Sequence, residues 1–75
     1  MPARRQTYAD IADDMEERIR TGEYPPGSTL PTYRELAEIY SVSVSTASRA
    51  VALLRDRGLT ESHPGVALYV ARHVI

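Results

Sequence analysis

Between Ser41 and Gly58 the chain runs SVSVSTASRAVALLRDRG, and five hydroxyl side chains (Ser41, Ser43, Ser45, Thr46, Ser48) precede one arginine, Arg49. Hydroxyls at this density suit either nucleophilic attack or hydrogen bonding to a polar partner. Attack needs a base to activate the hydroxyl, and the whole chain holds two histidines, His63 and His73, and no cysteine. No Glu-x-x-His pair, glycine-rich phosphate loop or nucleophile elbow is present. Enzymatic chemistry is therefore disfavoured, and no catalytic residue, metal site or cofactor is expected. What remains is binding. Hydroxyls bond base edges or phosphates, and an arginine reaches guanine or phosphate. The plainer alternative is that Ser43 and Thr46 only cap a helix and Arg49 only solvates it.

The alternation of serine and valine suggests a strand, but it fails beyond Thr46, where the apolar residues stop alternating. Ala47, Ala50, Val51 and Leu54 recur at helical spacing, and Ser43 is a good N-cap. A helix is predicted from Val44 to Arg57, closed by Gly58. At 100° per residue Ser45, Ser48, Arg49, Ala52 and Asp56 lie opposite its apolar face, and Val44 points sideways. Short side chains let a helix axis come close to the floor of a major groove about 12 Å wide.

The rest of the chain supplies what must position that helix. Thr7 and Asp10 form a capping box, followed by Tyr8, Ile11, Ala12, Met15 and Ile19 at helical spacing, with acids filling the other face; Thr21-Gly22 ends this first helix. The run GEYPPGSTLPT excludes helix, with Ser28-Thr29-Leu30 a short extended piece before Pro31. Thr32 to Glu35, TYRE, is a second capping box, and Tyr33, Leu36, Ala37 and Tyr40 mark the apolar stripe of a helix of about two turns. Leu59–Ser62 and Val66–Ala71 are β-prone runs around His63-Pro64-Gly65, read as a hairpin. Tyr24, Tyr33, Tyr40 and Tyr69 read as packing residues. Leu53, off the apolar face of its helix, is left to meet the first helix or a partner chain. The order of elements is that of a winged helix-turn-helix, mainly α with a small β-hairpin.

Composition bounds the partner only weakly. The 75 residues form one small domain of net charge −1, a size that buries only about 60% of its unfolded surface. Residues 1–40 carry five arginines against eight acids, net −3, and residues 41–75 carry four against two, net +2. The second half is the better partner for an anion. No apolar run approaches the roughly 20 residues of a membrane span. Arg4 and Arg5 are followed by polar residues, so a signal peptide is not expected.

From Ile11 to Val70 the chain resembles the DNA-binding domain of the GntR family of bacterial transcription regulators. The residues that carry the resemblance are GEYPPGSTLPTYRELA, Val42-Ser43, AVALLRDRGL and the final Tyr69-Val70. The family pattern has Pro-Gly, Leu-Pro-Ser-x-Arg-Glu-Leu-Ala, Val-Ser-Arg-Thr-Thr, Gly-Leu and a wing of Gly-Arg-Gly-Thr-Phe-Val type. The chain departs from it at Val44 and Ser48, where arginines are usual, and in the wing, where Gly65-Val66-Ala67-Leu68 lacks the arginine, second glycine and threonine.

The resemblance implies a sequence-specific regulator of repressor type, binding double-stranded DNA as a homodimer on an inverted or direct repeat. The third helix, 43–57, would enter the major groove and the wing would meet the flanking backbone or minor groove. The residues expected at the DNA are Thr32, Arg34, Ser43, Val44, Ser45, Thr46, Ser48, Arg49 and Gly65; for Arg34 an ion pair with Glu38 is the competing role. The expected organisation is an arm over 1–6, the domain over 7–71 and a tail over 72–75, in a cytoplasmic, nucleoid-associated protein. The family's effector-binding second domain follows the wing, and this chain ends at Ile75, so no small-molecule response is expected of it. The competing expectation is a winged helix that has lost its DNA contacts and binds a protein through an apolar wing of Val66, Ala67 and Leu68.

Overall fold

The computed structural model describes residues 7–63 and 67–72. Three helices come first: α1 over Tyr8–Arg20, α2 over Tyr33–Tyr40 and α3 over Val44–Asp56. Each starts on a hydroxyl N-cap in extended backbone. Thr7 accepts from the Asp10 amide while the Asp10 carboxylate accepts from the Thr7 amide, and Thr32 and Glu35 repeat this reciprocal capping box. Ser43 caps α3 alone, accepting from the Thr46 amide. Both predicted boxes are thus formed, and each satisfies two amides that a helix start leaves without partners.

All three helices also end alike. A residue with positive φ follows the last turn, and the next amide reaches back five residues. Glu23 N–H donates to the Arg18 carbonyl at 2.9 Å, Val42 N–H to Ala37 at 2.9 Å and Leu59 N–H to Leu54 at 3.0 Å. This is the Schellman arrangement. The left-handed position is glycine after α1 and α3, at Gly22 (φ 90°) and Gly58 (φ 78°), but serine after α2, at Ser41 (φ 55°). Val42 and Leu59, each just past its turn, pack on the core and pin the direction in which the chain leaves.

The core is one cluster. Ile11, Ala12, Met15 and Ile19 of α1 meet Leu36 and Ala37 of α2 and Ala47, Ala50, Val51 and Leu54 of α3. These are the predicted helical stripes except for Tyr8, which is 43% exposed at the first position of α1, and alanines at 47 and 50 let neighbouring elements approach α3 closely. Tyr24, Tyr40 and Leu53 pack on it half-buried, so Leu53 is resolved as a core-side residue. Tyr33 is a correction: it is 37% exposed. It occupies the first position of a two-turn helix, where no further turn precedes it to share the burial.

The hairpin consists of β1, Thr60–His63, and β2, Ala67–Val70, paired antiparallel with Thr60 opposite Val70 and His63 opposite Ala67. It lies one residue later than predicted at its start, because Leu59 serves the helix end and the core first. The extended piece after the prolines joins the same sheet. Leu30 N–H donates to the Leu68 carbonyl at 2.8 Å and Val70 N–H to Ser28 at 2.9 Å, with Thr29 bridged to Tyr69. β2 is therefore bonded on both sides, and the wing is tied to the chain that leads into α2.

Candidate nucleic-acid interface

The turn between α2 and α3 determines what α3 presents. Ser41 and Val42 reverse the chain in two residues, Ser43 caps the next helix at once, and Ala47, Ala50 and Leu54 are sealed inside. The opposite edge of the first two turns is left bare. Ser43, Val44, Ser45 and Arg49 are exposed, while Thr46 and Ser48 are half-buried. Two hydroxyls are partly committed: Ser43 Oγ donates to Thr46 Oγ1 at 3.0 Å and accepts from the Thr46 amide at 3.1 Å. The Thr46 hydroxyl keeps its own proton for an outside acceptor. On α2, Thr32 and Arg34 are exposed, and Thr32 Oγ1 accepts from Glu35 N–H at 3.1 Å, leaving its proton free as well. The ion pair with Glu38, the competing role for Arg34, is not formed. Gly65, Pro64 and Val66 lie outside the described residues, as do Arg4 and Arg5.

Charge is divided along α3. No acid occupies its first turn. At its other end Arg57 donates to Glu16 at 2.7 Å and lies 3.0 Å from Asp13. Thirteen residues of helix separate Ser43 from Arg57, roughly 20 Å, so the acidic face of α1 clamps the end of α3 remote from its bare edge. Part of that face is also paired locally. Arg20 pairs with Glu16 at 2.7 Å, and Arg18 bridges Asp14 at 2.8 Å and Glu23 at 2.6 Å. Tyr40 donates its hydroxyl to Asp14 at 2.6 Å, tying α2 to α1. The Tyr40 hydrogen bond and then Arg18 hold the Asp14 carboxyl below its usual range. Glu16 is likewise lowered, by Arg20 first and also by Arg57. Burial, then the bond to Asp14, pushes the Tyr40 phenol up.

By contrast, Arg34, Arg49 and Arg72 make no ion pair among the described residues. Arg49 borders a shallow groove with Tyr8, Ala52, Leu53 and Asp56. The sequence treats the acids of α1 simply as a solvated face; the i,i+4 pairs Asp14–Arg18 and Glu16–Arg20 were legible in their spacing, whereas Arg57 crossing from α3 and Tyr40 from α2 required the fold. Tyr33, exposed between Thr32 and Arg34, adds a phenol to the start of α2 that periodicity assigned to packing. The apolar wing expected to dock a protein is not laid out that way at Leu68, which is half-buried against the core.

Three helices with a tight turn before α3 and a hairpin after it define a winged helix-turn-helix of the DNA-binding regulator class. The family model of the bacterial regulatory proteins of the gntR family matches residues 7–70, and the chain belongs to that family. It is 38% identical over 65 residues to an uncharacterized HTH-type transcriptional regulator of Streptomyces coelicolor, covering 87% of this chain and 24% of that protein. It is also 38% identical over 63 residues to the mannosyl-D-glycerate transport/metabolism system repressor MngR of Escherichia coli, covering 84% and 26%. Among solved structures, the AraR DNA-binding domain in complex with operator ORX1 superposes with a TM-score of 0.84 at 29% identity, covering 91% of this chain and 82% of that one. The chain spans about a quarter of the length of these curated relatives. Among the described residues no helix is long and apolar enough to cross a membrane.

Proposed function

We propose that this chain is the DNA-reading domain of a sequence-specific transcription regulator, with repression as its output. The observation that carries the proposal is the bare, acid-free edge of α3 from Ser43 to Arg49, held outward by a core that seals the other side of the same helix. In this reading the first two turns of α3 enter the major groove. Ser45, Thr46 and Ser48 bond base edges or phosphates, Arg49 takes guanine or phosphate, and the amides at the start of α3 together with Ser43 hold a phosphate at the positive end of the helix dipole. Thr32, Tyr33 and Arg34 meet the backbone beside it, and the wing, including Gly65, meets the flanking backbone or minor groove.

The domain spans 7–71; the burial of Ala71 and its amide bond to the Leu59 carbonyl at 2.9 Å support that limit. The arm expected over residues 1–6 and all but the first residue of the tail expected over 72–75 lie outside the described residues. The operator complex of the AraR domain and the repressor named among the relatives support the same reading. One module makes a small interface, so the regulator binds as a homodimer on an inverted or direct repeat, which doubles the contacts. It acts in the cytoplasm, at the nucleoid.

The test is selection of duplexes from a random pool, followed by fluorescence anisotropy at several salt concentrations. Each phosphate contact contributes about −0.9 to the slope of log K against log salt. With so few arginines the slope is expected to be shallow for this class of domain. Failure to enrich any sequence, at low salt as well as high, would refute the proposal.

A further inference from the structure

Four large apolar side chains are exposed among the described residues: Tyr8, Tyr33, Ile39 and Val44. Only Val44 belongs to α3, at the flank of its bare edge. It precedes Val51 by seven residues and so lies on nearly the same stripe two turns earlier. Val51 is 4% exposed and Val44 48%; the apolar stripe is covered at one end and open at the other. An open valine there does nothing for the helix, since acidic residues are favoured in a first turn and valine is an indifferent helix former.

The neighbouring side chains are polar. Ser43 and Thr46 are bonded to each other, and Ser45 is an exposed hydroxyl. A valine offers no donor or acceptor, so in a major groove its complement is apolar. The apolar group on a base edge in that groove is the C5 methyl of thymine, and 5-methylcytosine presents the same methyl. Valine is stiff at χ1, so little rotamer freedom is lost on contact.

We propose that Val44 reads the C5 methyl of a pyrimidine, and that the preferred site carries thymine, or methylated cytosine, opposite the start of α3. This rests on the DNA-binding reading above and adds the chemistry by which one base pair is chosen.

The experiment uses the full chain and a duplex it selects. Each thymine is replaced in turn by deoxyuridine, which pairs identically but lacks the methyl, and Kd is measured by anisotropy. Burial of one methyl is worth roughly fourfold in affinity. The expected result is one thymine per half-site whose replacement weakens binding about fourfold in the wild type and has no effect in Val44→Ser, a variant whose helix content is checked by circular dichroism. Cytosine and 5-methylcytosine are then placed at that position. Recovery with 5-methylcytosine assigns the contact to the methyl on either base; no recovery restricts it to thymine. A flat uracil scan in the wild type, or the same penalty in Val44→Ser, overturns the proposal while leaving DNA binding intact. Absence of binding to any duplex overturns both, and is distinguishable because no Kd exists to compare. Val44→Ala, which removes both γ-methyls but leaves an apolar Cβ, is expected to retain part of the discrimination.

Discussion

Ser43 performs two tasks with one hydroxyl: it accepts the Thr46 amide and donates to the Thr46 hydroxyl. Removing an N-cap hydroxyl costs about 1 kcal/mol, so Ser43→Ala is expected to lower Tm by roughly 4–8 °C, read by thermal circular dichroism. Arg34 is the cleaner probe of DNA, because it has no ion pair among the described residues and its loss breaks no internal bond. Arg34→Ala is expected to leave Tm unchanged, to weaken binding about equally across duplex sequences and to reduce the salt slope by about 1, as titrations at several salt concentrations will show. A loss confined to one base position would instead mean that Arg34 reads a base. The roles that turned out legible at this scale were those decided within a few residues, such as the caps at Thr7, Thr32 and Ser43. Those that depended on distant partners were not: Arg34 declined the nearby Glu38, while Arg57 found Asp13 and Glu16 across the fold.

The turn between α2 and α3 is the element on which the geometry of the interface depends. Its left-handed position is held by Ser41, whereas the equivalent positions after α1 and α3 are held by glycine. A side chain with a Cβ is strained there, so Ser41→Gly is expected to stabilise the domain by about 0.5–1 kcal/mol, the relief being partly offset by the greater freedom of glycine in the unfolded chain. Chemical denaturation would show an unchanged slope and a higher midpoint. A lower midpoint would mean that the serine side chain contributes a contact that outweighs the strain. The helices were readable because period and caps agree; α1, α2 and α3 begin where their hydroxyl caps predict. The wing was less so, because Leu59 is both β-prone and needed by the core, and burial decided between the two by delaying β1 to Thr60. The pairing of Ser28–Leu30 with β2 follows from long-range contact alone, and no local pattern announces it.

For the molecule as a whole, charge is arranged so that the acids of α1 hold the domain together away from the bare edge of α3. Asp14 and Glu16 are held below their ordinary range in the fold. Their stabilisation is complete above the unfolded carboxylate range near pH 4 and is lost as pH falls through the lowered folded values. At the other extreme the Tyr40 phenol is raised, so its contribution is present below about pH 10 and is lost as pH rises past that point. Thermal melts from pH 7 to pH 2 are expected to show Tm falling below about pH 4, with a weaker fall in Asp14→Asn. An identical acid profile in that variant would remove Asp14 from the account. The central claim is that the edge from Ser43 to Arg49 enters duplex DNA. An NMR titration of the 15N-labelled chain with a selected duplex tests it most directly. The largest amide shifts are expected over residues 43–49, with smaller ones at 32–34, all diminishing as salt is raised. Shifts confined to the hairpin or to α1, or none with any duplex, would contradict it.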